Sequence, residues 1–181
     1  MRVISGKYKR TILNGYDIEG IRPTMDKVKE SLFAMINDSI KDSICLDLFS
    51  GTGSIGIEAL SNYSKRVYFV DKMKIAIDTT KSNLGKLDST DYEVINDNYT
   101  SALKKFSNNG IKFDIIFIDP PYGKIKIKEV IDEILKYDIL MPNALLVCEY
   151  EKEILEENYG NLELIKDRKY GKTFIKIYKL R

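Results

Sequence analysis

Ile44-Cys45-Leu46-Asp47-Leu48-Phe49-Ser50-Gly51-Thr52-Gly53-Ser54-Ile55-Gly56 is the stretch on which the fold turns. Its first half is a short apolar run broken only by Asp47. Glycines then recur as G-x-G-x-x-G, and a helical pattern continues to Leu60. A short apolar run bounded by glycine predicts a strand buried on both faces, as parallel sheets require. The unit repeats downstream. Val67 to Val70 precedes Lys74 to Leu87, and Tyr92 to Ile95 precedes Tyr99 to Phe106. Phe113 to Ile118 precedes Ile127 to Tyr137, and Ala144 to Tyr150 precedes Lys152 to Asn158. Alternating strands and helices predict βαβ units and an open α/β sheet of Rossmann-like type, mostly parallel.

Both ends depart from this rhythm. Leu162 to Arg168 and Thr173 to Tyr178 flank Tyr170-Gly171 and predict a closing antiparallel hairpin. Val3-Ile4 and Thr11 to Leu13 flank Gly6-Lys7-Tyr8-Lys9 and predict a small N-terminal β-hairpin. Thr24 is placed to cap a helix that carries Val28, Leu32, Phe33 and Ile36 on one face. A chain of 181 residues suits one domain. Here it divides into a hairpin extension, residues 1–23, and a catalytic domain, residues 24–181.

Composition narrows the chemistry. The chain has no histidine, which excludes a Ser-His-Asp triad, a Cys-His pair and any zinc site built with histidine. Cys45 and Cys148 each lie in an apolar run and are expected to be reduced core residues of a cytoplasmic protein; no metal site is expected. The longest apolar runs are far too short to span a bilayer, and the first residues lack the apolar core of a signal peptide. Net charge is only +2, but both ends are basic. Arg2, Lys7, Lys9 and Arg10 have no acid among them. Lys166, Arg168, Lys169, Lys172, Lys176, Lys179 and Arg181 face one acid, Asp167. Basic ends around a neutral middle fit a polyanionic partner, and equally a solvated lysine-rich surface.

Ligands of open α/β sheets sit outside the carboxyl ends of the strands. Asp71 lies twenty residues after Gly51 at the next strand end, placed to accept ribose hydroxyls. Asp47, Asp97 and Asp119 end the first, third and fourth strands, so four carboxylates are expected at one rim. Such a rim repels a pyrophosphate, and the turn after Gly51 has no lysine or arginine to offset it. S-adenosylmethionine carries a sulfonium, an ammonium and no phosphate, and it suits the rim. The candidate cofactor residues are Asp47, Phe49, Gly51, Gly53, Asp71, Lys72, Asp97 and Asn98. The fold expected is that of class I S-adenosylmethionine-dependent methyltransferases.

Phe113-Asp114-Ile115-Ile116-Phe117-Ile118 runs into Asp119-Pro120-Pro121-Tyr122, the candidate catalytic residues. Two prolines deny the backbone its ladder donors and fix its direction. The Asp119 carboxylate and the Pro120 carbonyl can then accept the two hydrogens of a base –NH₂. The amine's lone pair is delocalised into its ring. Two acceptors favour a pyramidal nitrogen, and each charge-assisted bond contributes roughly 1.5–3 kcal/mol. Tyr122 is placed to stack on a base taken from its helix.

On these residues the sequence resembles the RsmD family, bacterial methyltransferases that act on a guanine N2 of 16S ribosomal RNA in the small subunit. The resemblance spans nearly the whole chain. It rests on Arg2 to Lys9, on Arg22-Pro23-Thr24 with Val28 and Leu32-Phe33, and on Leu46 to Gly56 with Glu58-Ala59-Leu60. Asp119 to Tyr122, Glu149 and Tyr170-Gly171 complete it. Ala34 and Asp71 stand where members usually have asparagine and often glutamate. The resemblance implies that Asp47, Gly51, Gly53, Asp71 and Asp97 line the cofactor pocket and that Asp119 to Tyr122 hold the guanine amine. It implies that Arg2, Lys7, Lys9, Arg10 and Arg22 face RNA phosphates. On the residues alone, Arg22 either binds phosphate or pairs with an acid to brace its loop. The expected state is a monomer acting on ribosomal RNA, free or within a small subunit. Methylation of adenine N6 or another base amine in DNA is the alternative, since those enzymes use a similar tetrapeptide. A nucleic-acid-binding protein with a vestigial cofactor fold is a further alternative, against which the intact glycines and carboxylates argue. A dinucleotide oxidoreductase is the remaining one, since the glycine motif fits a nicotinamide dinucleotide as well.

Overall fold

The computed structural model describes residues 1–15, 26–121 and 123–181. The expected cap Thr24, and with it Arg22 and Tyr122, lies outside the described residues. The strands are β1 Ile44–Asp47, β2 Arg66–Asp71, β3 Tyr92–Asn96, β4 Phe113–Ile118, β5 Leu140–Tyr150, β6 Asn158–Tyr159, β7 Leu162–Tyr170 and β8 Thr173–Leu180. The helices are α1 Asp26–Met35, α2 Asn37–Ile40, α3 Ser54–Ser61, α4 Lys74–Leu84, α5 Tyr99–Asn108 and α6 Ile127–Lys136. The strands form one sheet in the order β3-β2-β1-β4-β5-β8-β7-β6. β1 to β5 run parallel. β8, β7 and β6 join them antiparallel, closing the sheet with the hairpin that the tail predicts. Among the described residues, no helix is long and apolar enough to cross a membrane.

The central strands are buried on both faces because each face has its own helix layer. In β4, Ile116 and Ile118 pack with α5 and α6, while Ile115 and Phe117 pack with α1 and α3. β3 is an edge strand and is only half-buried. Both cysteines are buried and unpaired with each other. Burial pushes the Cys45 thiol up to about 12 and Cys148 further still, so neither forms a reactive thiolate near neutral pH.

The glycine motif fits its turn and its packing. Gly51 and Gly53 adopt φ of 53° and 77°, and Gly53 begins α3. Gly56 brings α3 close to β2: a Cβ there would lie 2.2 Å from Phe69 Cε1. Gly56→Ala is therefore expected to lower stability by about 1–3 kcal/mol through overpacking. The midpoint of urea unfolding measures this. An unchanged midpoint would mean that α3 does not need this close approach.

The N-terminal hairpin forms around the pair Arg2–Ile12, with the Val3 amide donating to the Thr11 carbonyl at 3.0 Å. Val3 and Leu13 are buried with α1 and α3. Gly6 (φ 76°) presses on α3 so tightly that a Cβ would sit 1.9 Å from the Ser61 carbonyl oxygen.

Lys152 to Asn158 is not the helix its place in the alternation predicts. It is irregular and ends in β6. Its carbonyls serve other partners: the Leu155 oxygen accepts Lys176 Nζ at 3.0 Å, and the Glu156 oxygen accepts the Tyr178 hydroxyl at 2.7 Å. The Glu153 carboxylate turns to α6 and accepts the Ile127 and Lys128 amides. Ile154 gains nothing from a helix, being 95% exposed.

Candidate active site

The strand order reverses between β1 and β4, which opens a crevice at their carboxyl ends. Register decides the height of each expected carboxylate there. Asp47 pairs with Phe69 and Phe117, so Asp71 and Asp119 each lie two residues further along. Asp71 pairs with Asn96, and Asp97 follows. Asp71, Asp97 and Asp119 are half-buried at the rim. Asp47 lies beneath it by about two strand residues, roughly 6.6 Å. It is 4% exposed and accepts the Gly56 amide at 2.9 Å. The rim therefore has three of the four expected carboxylates, and the fourth supports the glycine loop from below.

That depth gives Asp47 a pH signature. Burial raises its carboxyl from 3.8 to about 7, against the Gly56 hydrogen bond, and the charge of Asp71 adds to the rise. The folded protein then holds this proton more tightly than the unfolded chain. The associated stability is fully present below about pH 4 and is lost as pH rises to about 7. Asp47→Asn removes this slope. Its melting temperature is expected to gain on that of the native protein from pH 4 to 7 and to hold that gain above pH 7. A difference independent of pH would contradict this.

The other cofactor candidates surround the loop. The Asp71 carboxylate accepts the Gly51 amide at 3.0 Å and the Met73 amide at 2.9 Å, gripping the turns after β1 and β2 together. Each of its oxygens keeps a further lone pair for a ligand. Lys72, next in sequence after Asp71, is exposed. Asp97 accepts Lys105 Nζ at 2.7 Å, Ser101 Oγ at 2.9 Å and the Asn98 amide at 2.8 Å. The Lys105 bond chiefly holds its carboxyl below the usual range. Asn98 caps α5 by accepting the Ser101 amide at 2.9 Å. Phe49 lies 5.5 Å from the ring of Tyr99, ring centre to ring centre. Tyr99 extends the apolar wall beyond the residues singled out in the sequence. An aromatic opening the helix after the third acidic strand end is the signal that would have found it.

Pro120 is buried and Pro121 half-buried beside Asp119. The Pro121 carbonyl accepts the Lys124 amide at 3.3 Å.

The hairpin candidates divide by height. Arg2 lies at the rim end, 3.4 Å from Asp26, and its carbonyl accepts Lys29 Nζ at 2.6 Å. Lys7, Lys9 and Arg10 are exposed. The Lys7 amide binds the Ser61 carbonyl at 2.8 Å, at the end of α3 remote from the cofactor loop. The hairpin thus lies along α3 with its tip pointing away from the rim.

An ion pair holds it there. Lys29 and Glu58 meet at 3.2 Å with both side chains fully buried. Glu58 accepts the Ile4 amide at 2.9 Å and the Ser5 amide at 2.7 Å, while Lys29 also donates to Ser54 Oγ at 2.9 Å. Burial pulls the Lys29 pKa down against the attraction of Glu58. Asn83 adds a second fastening, donating to the Asn14 carbonyl at 3.0 Å and the Thr52 carbonyl at 2.9 Å. Lys29 escaped the sequence reading. The signal was present: one acid inside the otherwise apolar and neutral Ser54–Ser61 needs a buried cation.

This site suits S-adenosylmethionine. Carboxylates at the rim suit a cationic ligand, glycines leave the loop backbone approachable, and the buried Ser50 Oγ beside the loop has no hydrogen-bond partner among the described residues. Sheet order and site together define a Rossmann-like S-adenosylmethionine-dependent methyltransferase. The family model described as "Conserved hypothetical protein 95" matches residues 1–179. The chain belongs to that family, the RsmD family. It is 40% identical to the putative rRNA methyltransferase YlbH of Bacillus subtilis, over 100% of both chains. It is 36% identical to ribosomal RNA small subunit methyltransferase D of Haemophilus influenzae, over 98% of this chain and 93% of that one. A solved structure titled putative methyltransferase yhhF from Escherichia coli superposes with a TM-score of 0.88 at 30% identity, covering 100% of this chain and 98% of the other.

Proposed function

We propose that this protein transfers a methyl group from S-adenosylmethionine to the exocyclic N2 amine of one guanine in 16S ribosomal RNA. One observation carries this reading: Asp119-Pro120-Pro121 follows β4 directly across the switch point from the glycine loop after β1. An amine held there lies beside the cofactor. The names of the relatives from Bacillus subtilis and Haemophilus influenzae support ribosomal RNA as the source of that amine.

S-adenosylmethionine, when bound, supplies an electrophilic methyl on a sulfonium. The residues of the protein do the rest. Asp47 and Asp71 hold the loop around Gly51 to Gly56, and Asp71 offers its remaining lone pairs to ribose hydroxyls. Phe49 and Tyr99 offer an apolar wall to the adenine. The Asp119 carboxylate accepts one amine hydrogen. The second falls to the Pro120 carbonyl, which follows Asp119 directly at the strand end. Two acceptors turn the nitrogen lone pair out of conjugation. No strong base is required: once methylated, the nitrogen is acidic, and Asp119 takes its proton. Tyr122 stacks on the guanine. Arg2 holds a phosphate near the rim, and Lys7, Lys9, Arg10 and Arg22 extend the basic surface. The protein works as a monomer in the cytoplasm.

Labelled S-adenosylmethionine and ribosomal RNA from cells lacking the enzyme test the reading. The expected product is N2-methylguanine at one position of the small-subunit RNA, found by nucleoside mass spectrometry. N6-methyladenine in DNA, with unmodified RNA, would overturn it.

A further inference from the structure

The rows of the sheet carry the catalytic rim sideways into the C-terminal hairpin. Ile118 of β4 pairs with Cys148 of β5. Glu149 and Tyr150 then pair with Ile175 and Phe174 of β8. Ile175 and Phe174 pair in turn with Arg168 and Lys169 of β7. One row thus runs from Asp119 through Glu149 and Ile175 to Arg168. The next runs from Pro120 through Tyr150 and Phe174 to Lys169, and Lys172 stands in the turn beyond. Three strand spacings put Arg168 roughly 14 Å from Asp119.

The tip is anchored on both faces. The rings of Tyr150 and Phe174 stack at 5.3 Å, and Lys169 Nζ lies 5.1 Å above the Phe174 ring. From the other face, the Tyr170 hydroxyl bonds Ser31 Oγ of α1. The cations are available. Arg168, Lys169 and Lys172 are exposed, and none forms an ion pair with a carboxylate among the described residues. Lys176 takes Asp167, and Arg181 takes Glu163. Among the described residues, Arg168 itself donates to the neighbouring Asp167 carbonyl. The acids nearby are inward or occupied: Glu149 is buried, Glu151 half-buried, and Glu153 accepts the first amides of α6. Charge is therefore sorted along the rim, with carboxylates at β2 and β3 and cations at β7.

We infer that the tip of the β7–β8 hairpin is a second RNA-docking surface, where Arg168, Lys169 and Lys172 bind phosphates flanking the target nucleotide. This rests on the reading of RNA as substrate. Screening confines each charge to about 8 Å at physiological salt, so these side chains act by contact. A rigid cationic tip level with the chemistry fixes the register of the strand. The N-terminal hairpin tip, which points away from the rim, cannot do this.

The test is Lys169→Glu/Lys172→Glu against a charge-matched control, Lys41→Glu/Lys65→Glu. The control residues are exposed and precede β1 and β2, at the opposite end of the sheet. Binding to small-subunit ribosomal RNA is measured by filter retention over a salt series, with methyl transfer measured alongside. The rim variant should bind at least tenfold more weakly. Its slope of log K against log salt should fall by roughly 1.4–1.8, for two lost phosphate contacts. Affinity for S-adenosylmethionine should stay within twofold. The control should bind like the native protein. Native-like binding by the rim variant, equal weakening in the control, or no RNA binding by the native protein would each overturn the inference. Native RNA binding without methyl transfer would instead count against the proposed reaction and leave the surface to be judged by the binding data.

Discussion

Asp119→Ala is expected to lower turnover roughly 10²–10³-fold, the usual cost of losing one preorganised polar group at a reacting centre. Affinity for S-adenosylmethionine should hold, because the proposed cofactor contacts come from β1, β2 and β3 while Asp119 follows β4. The fold should hold as well, since the residue is half-buried at a strand end and not in either core. Asp119→Asn keeps one acceptor oxygen but loses the charge and the proton acceptor, so it should fall between the two. Single-turnover transfer to ribosomal RNA separates these effects from product release. Native turnover by the alanine variant would refute the proposed chemistry outright.

The second large effect concerns stability. Glu58→Leu leaves the Lys29 ammonium buried without its counter-charge and deprives the Ile4 and Ser5 amides of their acceptor. Breaking a buried pair from one side costs about 3–5 kcal/mol, a large share of the 5–15 kcal/mol typical of a domain. Lys29→Met should cost less, because Glu58 keeps its hydrogen bonds to the hairpin. The double variant Lys29→Met/Glu58→Leu should lose clearly less than the two single losses added together, since neither charge is then stranded. Urea unfolding of the four proteins gives the coupling directly. Simple additivity would show that the pair does not hold the hairpin as a unit.

The order of elements was readable because composition alternates with secondary structure. Apolar runs such as Phe113 to Ile118 need two covered faces, and only a layered α/β sheet provides them. The glycine motif was equally plain, since Gly53 needs a left-handed backbone and Gly56 a close approach to Phe69. Heights at the rim were not readable. Asp47 and Asp71 both end strands in the sequence, but pairing Asp47 with Phe69 puts one beneath the other. The segment after β5 was misread because its carbonyls are claimed by Lys176 and Tyr178, residues of a strand that follows it. Lys29 was missed because a lysine beside Val28 reads as the polar flank of an amphipathic helix until its partner on α3 is known. The direction of the N-terminal hairpin depends on Gly6 meeting Ser61, a contact across 55 positions that no local pattern contains.

The outer end of β7 also bears on how the protein avoids itself. β6 pairs with Leu162 and Glu163, and the Leu164 amide bonds the Glu157 carbonyl, so among the described residues the strand from Ile165 onward is an edge that could accept another strand. Lys166, Asp167, Arg168 and Lys169 occupy that length, and the register shift beside Ile165 interrupts its flatness. Charge and irregularity are what keep such edges from recruiting a second copy. On the proposed reading, the same lysines that bind RNA phosphates would also discourage this edge from pairing with a second copy. Exchanging them for valine or isoleucine would create a flat, apolar ribbon and a route to edge-to-edge aggregation.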